Sequence, residues 1–304
     1  MADATHVENE NIRRLKDAAA GTAGGMVQVL VGQPFDIIKV RLQTQSTTNP
    51  QYTGVADAAR KIAANEGPLA FYKGTLAPLL GIGACVSVQF AVFHQVRRNF
   101  AMKNAETRGD RSEDLTYGQF YVAGAAAGIA NSGIAGPLER VRILLQTQPS
   151  SPSRLFNGPL DCVKKIGAEQ GTLRGLYRGL VPTILREGQG SGFWFLTYEF
   201  LVRHMASSNN TTRDQLPAWR LCLCGASAGA MFWLSSYPLD VIKSKMQGFG
   251  GDAKYKGVID CVRQTYAQGG VGAFWRGIVP TIMRAGPASA STFLTVEMTM
   301  RLLG

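Results

Sequence analysis

One short motif occurs three times in this chain of 304 residues, and that recurrence restricts the fold more than any other feature. The copies are Pro34-Phe35-Asp36-Ile37-Ile38-Lys39, Pro137-Leu138-Glu139-Arg140-Val141-Arg142 and Pro238-Leu239-Asp240-Val241-Ile242-Lys243. Each reads proline, one residue, acid, two residues, base. A glutamine follows nine residues after each proline, at Gln43, Gln146 and Gln247. The prolines stand 103 and 101 residues apart, so the chain is a threefold repeat over nearly its whole length. Prolines and paired charges at three equivalent places suggest a ring of like elements about one axis.

Each repeat reads alike. A long helical stretch rich in small residues comes first, running in the first copy from about Asn11 to Gln45. It holds a GxxxG pair 13 and 9 residues before the proline: Gly21 and Gly25, Gly124 and Gly128, Gly225 and Gly229. GxxxG lets two helices approach closely, and three copies at one offset predict a repeated helix contact. A polar connector follows with an aromatic-x-glycine: Tyr52-Thr53-Gly54, Phe156-Asn157-Gly158 and Tyr255-Lys256-Gly257. Then comes a short amphipathic helix, with apolar residues at helical spacing such as Val258, Cys261 and Tyr266. A loop carries an aromatic-basic-glycine triplet: Tyr72-Lys73-Gly74, Tyr177-Arg178-Gly179 and Trp275-Arg276-Gly277. The second long helix runs over 75–100, 181–204 and 279–303. Polar segments at 103–114 and 207–214 read as linkers. The expected organisation is three repeats, 11–103, 115–206 and 215–304, in one integrated domain. The expected elements are six long helices and three short ones. The long ones suffice to cross a hydrocarbon layer about 30 Å thick.

Composition excludes more than it identifies. Apolar residues make up 45%, and mean hydropathy is near zero. No window offers about 18 consecutive apolar residues. A helix with one wet face and one lipid face does not need them. The net charge of +11 favours anionic partners. Nucleic acid is disfavoured, since there is no run of Lys and Arg, no zinc-finger spacing and no aromatic RNA-binding motif. Five scattered cysteines argue against a disulfide framework, and Cys222-Leu223-Cys224 is too tight for a zinc knuckle. Neither a metal nor a cofactor is expected. The first ten residues, with three acids and no apolar core, are neither a secretory signal nor an arginine-rich transit peptide. An enzyme is disfavoured too. Gly81-Ile82-Gly83 is no full dinucleotide fingerprint, and three scattered histidines form no catalytic set.

On a helix the acid, base and glutamine of each motif fall at about 200°, 140° and 180° from the proline, one face about 60° wide. A solvated face would explain one copy, not three copies each with a helix-disrupting proline. The reading adopted is a ring closed by charge pairs between neighbouring repeats: Asp36 with Arg142, Glu139 with Lys243, Asp240 with Lys39. The glutamines would bridge those pairs. Buried pairs have small net worth, which suits a gate.

These motifs together resemble the mitochondrial carrier family over essentially the whole chain. The resemblance implies an all-α membrane protein, with six transmembrane helices in a pseudo-threefold barrel and three short matrix helices. It implies a multi-pass protein of the mitochondrial inner membrane, a functional monomer without enzymatic activity, and alternating access to one central site. The ring becomes the matrix gate: Asp36, Lys39, Gln43, Glu139, Arg142, Gln146, Asp240, Lys243 and Gln247. Cardiolipin is the implied lipid partner, at Gly54, Gly158 and Gly257 with Gly74, Gly179 and Gly277, where helix N-termini suit acidic head groups.

Two departures from the family pattern stand out. The acid before the matrix-loop glycine is Glu66 in the first repeat, but Gln170 and Gln268 replace it in the others. No aromatic-acid-x-x-base copy is complete on the even helices. The cytosolic gate therefore reduces to His94, Arg97, Glu199 and Glu297, with Arg203 and Arg301 one residue late. That network should be weak, and His94 could change charge within it, since histidine titrates near neutral pH.

The resemblance places substrate contacts seven residues after each loop glycine, at Gly81, Arg186 and Arg284, with Glu187 beside Arg186. Intramembrane charges are costly and hence functional candidates. Two arginines can hold a carboxylate and Glu187 an ammonium, which suits a zwitterion. One turn on lie Cys85, Gly190 and Ala288, then Gln89 and Trp194, whose ring could stack on an ammonium. The expected cargo is an amino-acid-like zwitterion, glutamate or a basic one such as ornithine, moved by exchange. The Arg-Glu pair resembles the amino-acid branch of the family, including its fungal members, which neighbours the carnitine–acylcarnitine carriers. The alternatives are an organic-acid carrier or a carnitine/acylcarnitine exchanger, for which Met231, Phe232 and Trp233 would line an acyl annex unless they face lipid.

Overall fold

The computed structural model describes residues 2–45, 50–108, 115–148, 155–248 and 255–303. Among them no strand occurs. The first repeat comprises α1 (Ala2–Thr44), α2 (Val55–Glu66) and α3 (Leu76–Arg108). The second comprises α4 (Tyr117–Thr147), α5 (Pro159–Gln170) and α6 (Leu180–Ser208). The third comprises α7 (Ala218–Gln247), α8 (Val258–Gly269) and α9 (Ile278–Leu303). Short turns of helix at Pro68–Tyr72, Thr172–Leu176 and Val271–Trp275 lead into the even long helices. The polar segment read as a linker from 103 is helical as far as Arg108, and residues 109–114 lie outside the described ones. Pro34, Pro137 and Pro238 sit inside α1, α4 and α7, and none ends its helix.

Local sequence explains the boundaries. Thr116 caps α4 by accepting from the Gln119 N–H, while the Gln119 side chain returns to the Thr116 N–H, a full capping box. The three short helices share a device absent from the sequence reading. Asp57, Asp161 and Asp260 stand in their first turns and accept from the backbone N–H of Thr53, Asn157 and Lys256 at 3.0, 2.9 and 2.9 Å. Those backbone bonds hold the three carboxyls below the usual carboxylate range. Each short helix then stops at a glycine with positive φ: Gly67, Gly171 and Gly270.

The long helices close on themselves. α1 packs along α9, α3 along α4, α4 along α6 and α6 along α7, while α1 meets α3, and α7 meets α9, only sparsely. The GxxxG pairs track this difference. A Cβ on Gly128 would stand 2.1 Å from the Glu187 carbonyl, and one on Gly124 2.7 Å from the Ser191 carbonyl. Gly21, Gly225 and Gly229 face open space. Gly25 meets only the Ile82 side chain of α3, so of the three GxxxG pairs the second alone brings the backbones of its two long helices together, where those helices lie against each other.

The polarity of the barrel is inverted relative to a soluble protein. Lys39, Arg186, Asp240 and Lys243 are buried, whereas Leu80, Val181, Ile282 and Leu294 are more than half exposed. Charge inside and bulky apolar groups outside is what a hydrocarbon surround requires. By composition alone, only the stretch 68–107 among the described residues is long and apolar enough to span a membrane. The other long helices keep a charged stripe for the interior.

The packing asymmetry predicts a stability difference. Gly128→Ala forces a methyl into the α4–α6 contact and should cost about 1–3 kcal/mol, a cost typical of overpacking. Gly229→Ala meets nothing and should leave thermal unfolding in detergent unchanged or slightly raised. Equal melting temperatures for the two variants would contradict the assignment.

Candidate functional site

Three long helices bring their motif faces together at one end of the barrel. Arg142 Nη2 lies 2.6 Å from Asp36 Oδ2. Lys39 Nζ lies 2.7 Å from Asp240 Oδ2, and Lys243 Nζ pairs with Glu139 Oε2. Each pair joins two repeats, and together they run once around the axis. Of the glutamines, Gln43 donates to Asp240 Oδ2 at 3.0 Å and to the Tyr237 hydroxyl at 3.2 Å. Gln247 donates instead to Thr183 Oγ1 at 3.2 Å. The buried Gln146 amide has no protein partner. Only Gln43 thus touches a charge pair, because the neighbours offered to the other two amides differ.

The triplet glycines explain why the glutamines lie where they do. Gly74, Gly179 and Gly277 have φ of 78°, 75° and 82°, a region that strains any other residue. A Cβ on them would stand 3.4, 2.8 and 3.3 Å from the Cγ atoms of Gln146, Gln247 and Gln43. Each glycine therefore seats the glutamine of a neighbouring repeat, in the same cyclic sense. Gly54, Gly158 and Gly257 differ. Their backbone is extended, and they precede α2, α5 and α8 with open space around them.

Two arginines of the even helices reach into the ring. Arg186 Nη2 donates to Glu139 Oε1 at 3.0 Å and bonds Glu187, with Nη1 3.7 Å from Asp240 Oδ1. Arg284 Nε lies 3.5 Å from Asp36 Oδ1. Both line a cavity of about 80 Å³ with the three pairs, Gln146 and Trp233. Lys39 Nζ lies 4.1 Å above the Trp233 ring, a cation–π contact. The other expected contacts are not among the residues lining the cavity. Gly81 packs on Leu138, and Gln89 donates to Ser191 Oγ at 3.1 Å. Trp194 stacks on Tyr198 at 5.3 Å and meets Phe195 edge-on. Cys85 is half-buried on α3. Phe232 packs on Gly190 and edge-on against Trp233, both rings lying within 5.9 Å of the Arg186 guanidinium, while Met231 is exposed.

Several buried polar residues were not singled out from the sequence. Arg140 is almost fully buried where the other repeats have Ile37 and Val241, and it donates to the Gln247 carbonyl. Arg41 donates to the Gln146 carbonyl at 3.4 Å. Both cations sit at the C-terminal end of the next odd helix, where the helix dipole favours them. The visible signal was a lone arginine at an aliphatic position of the repeat. Arg41 and Lys73 also clasp Glu66, with Arg41 Nη2 2.9 Å from Oε2.

At the opposite end the acids pair locally. Glu199 takes Arg203 of its own helix at 2.7 Å and Arg213 of the following turn at 3.0 Å. Glu297 takes Arg301. The one-residue displacement of both arginines gives i,i+4 spacing, so each base turns back along its helix. His94 lies between Phe90 and Phe93, on the helix that also carries Arg97.

A barrel with an apolar exterior, a closed ring of charge at one end and a charged cavity against it belongs to the class of gated membrane transporters. Comparison with known sequences makes this specific. The mitochondrial carrier protein family matches residues 11–104, 113–209 and 214–304. The chain is 50% identical to the mitochondrial glycine transporter YMC1 of Saccharomyces cerevisiae, over 98% of this chain and 95% of that protein. It is 48% identical to the glutamate/glycine mitochondrial carrier ymc1 of Schizosaccharomyces pombe, over 93% and 92%. It is 40% identical to the mitochondrial basic amino acids transporter of Bos taurus, over 93% and 91%. The chain belongs to the mitochondrial carrier family. It is a multi-pass carrier of the mitochondrial inner membrane and not an enzyme.

The Glu66 clasp predicts a pH dependence. Burial raises this carboxyl, but hydrogen bonds from Arg41 and Lys73 outweigh it and bring it down from 4.5 to about 2. Its stabilisation is then present above the ordinary carboxylate range and is lost as pH falls through about 2. The detergent-solubilised protein should therefore lose stability between pH 5 and 2 more steeply than Glu66→Gln, as read by thermal unfolding. Parallel profiles would remove the clasp as a stabilising element.

Proposed function

We propose that this carrier exchanges a small neutral or acidic amino acid, glycine or glutamate, across the inner membrane by alternating access. The observation that carries this reading is the charge balance at the cavity. Lys39, Arg142, Lys243, Arg186 and Arg284 face Asp36, Glu139, Asp240 and Glu187. Five cations against four carboxylates leave one positive charge over, in a place where uncompensated charge is costly. A carboxylate on Arg284 and Arg186 supplies the missing negative charge; the α-ammonium, which can replace Lys39 over Trp233 and beside Asp240, offsets it, so a second carboxylate is what makes the site neutral. Glutamate leaves the site neutral and glycine leaves it as it was. A basic amino acid would add a second excess cation. The two fungal relatives named for glycine and for glutamate/glycine support the same choice.

Cavity size favours it over the acylcarnitine alternative. About 80 Å³ is far below the roughly 300–1,000 Å³ of pockets that take drug-sized ligands. Neither Met231 nor Phe232 lines the cavity.

In this reading the ring is the matrix gate, and the conformation described faces the cytosol. Glu199 and Glu297, with His94 and Arg97, belong to the opposite gate. Substrate binding draws Arg186 and Arg284 off Glu139, Asp240 and Asp36, weakening the ring. Only such differential binding can shift the equilibrium between the two states. The glycines that precede the short helices and those of the triplets, Gly54, Gly74, Gly158, Gly179, Gly257 and Gly277, are read as sites for cardiolipin. The excess basic charge of the chain supports that partner.

Uptake into proteoliposomes tests this. Glycine or glutamate should exchange, and Arg284→Ala should reduce the rate by about tenfold to a hundredfold, the worth of a charged hydrogen bond. Uptake of arginine or carnitine alone would overturn the substrate class, and malate alone would return the organic-acid reading. The gate has its own test. Lys39→Asp should abolish exchange, since breaking one buried pair costs about 3–5 kcal/mol. Adding Asp240→Lys should restore a measurable part. Normal exchange in Lys39→Asp alone would rule out the gate.

A further inference from the structure

The residue just before each motif proline is used differently in the three repeats. In the first it is Gln33, fully buried. Its Nε2 donates to the Lys73 carbonyl at 3.0 Å, within the triplet loop of its own repeat. Its Oε1 accepts from Arg142 Nη2 at 2.8 Å, the same guanidinium that pairs with Asp36. In the third it is Tyr237, also fully buried. Its hydroxyl donates to the Arg276 carbonyl at 3.2 Å, the equivalent point of the triplet loop. It accepts from Gln43 Nε2, which also donates to Asp240. The Tyr237 ring stacks on Trp275, with centroids 5.9 Å apart and planes 4° from parallel. In the second repeat the residue is Gly136, which has no side chain to bridge anything.

Each of these two side chains therefore makes one bond to its own loop and one bond to a neighbouring repeat at a charge pair. Helix packing is distributed in the complementary way. Where the two long helices of a repeat meet sparsely, as α1 and α3 or α7 and α9, the strut is present. Where they pack closely, as α4 and α6 do at Gly124 and Gly128, it is absent.

We propose that Gln33 and Tyr237 are positioning residues that tie the ring pairs to the triplet loops of the first and third repeats, while the second repeat turns as one packed body. The strut bonds between repeats, Arg142 to Gln33 and Gln43 to Tyr237, exist only while the ring is closed. Opening the ring breaks them and leaves the bonds to the loops. The struts thus stabilise the ring-closed state specifically, and through the loops they carry ring opening to α3 and α9. This proposal rests on the reading of the ring as a gate.

The test is exchange by oriented proteoliposomes of wild type, Tyr237→Phe, Gln33→Met and Tyr177→Phe, with labelled glycine and glutamate added to either side. Tyr177 is the control. Its hydroxyl donates to the Gly133 carbonyl at 3.1 Å in the second repeat and touches no charge pair. Apparent affinity on each side scales with the population of the state open to that side. The ratio of the KM on the far side to the KM on the ring side should therefore rise about threefold to tenfold in Tyr237→Phe and Gln33→Met, the worth of one hydrogen bond. It should not change in Tyr177→Phe. A loss of Vmax with an unchanged KM ratio marks a merely structural role and overturns the proposal, as does wild-type behaviour. Amide hydrogen exchange of the substrate-free protein separates this outcome from a wrong substrate. Residues 272–281 should exchange faster in Tyr237→Phe and 70–79 in Gln33→Met, whether or not glycine is carried. Unchanged exchange there would overturn the struts independently.

Discussion

The structure depends on a ring of buried ion pairs in which each acid finds its base on another repeat. No motif acid pairs with the base of its own motif. An unpaired charge left in that interior would cost several kcal/mol, so the three repeats must come together for any one of them to be stable there. The same physics keeps the ring weak in net terms, since desolvation of each pair offsets most of its attraction. The ring therefore specifies the arrangement strongly while contributing modestly to its stability. An interaction of that kind can be broken and remade without unfolding the barrel. Its geometry is held by groups outside the pairs: triplet glycines that seat the glutamines, and the cations Arg41 and Arg140 on the carbonyls at the helix ends.

The cavity and the ring share their charged groups. Arg186 and Arg284 are the groups best suited to a substrate carboxylate, and both are engaged with ring acids. Trp233 is the aromatic face best suited to an ammonium, and Lys39 of the ring occupies it. A solute that binds must compete with the contacts that keep the ring shut. In the proposed mechanism, recognition and gate release draw on the same few charges, with no relay through the protein. At the far end, among the described residues, Glu199 and Glu297 pair along their own helices or with the adjoining turn.

The candidate site was legible in the sequence where repetition supplied three independent copies of a signal. The three motifs allow two cyclic pairings of opposite sense, and the structure forms Asp36 with Arg142, Glu139 with Lys243 and Asp240 with Lys39. Gly81, Gln89 and Trp194 were placed by offset alone. Offset fixes depth along a helix but not which neighbour the side chain meets. Each of the three meets protein: Leu138, Ser191 and Tyr198. Trp233 lies at the cavity because Lys39 of another repeat reaches over it, and no spacing within α7 announces that. The common role of three GxxxG pairs likewise failed, since identical motifs met different partner helices.

By itself the sequence determined the threefold architecture, the helical elements, the cyclic ring and the family. All of these follow from residues at fixed separations along one chain, where helical geometry converts spacing into direction. Tertiary structure alone decided which seams of the barrel are packed and which are bridged by Gln33 and Tyr237. It also decided that Arg186 and Arg284 are held by ring acids, and that one positive charge is left over beside the cavity. These are relations between groups about 40 or more residues apart. They depend on helix rotation and on the unequal fit of three similar repeats, which the pattern of any one repeat does not contain.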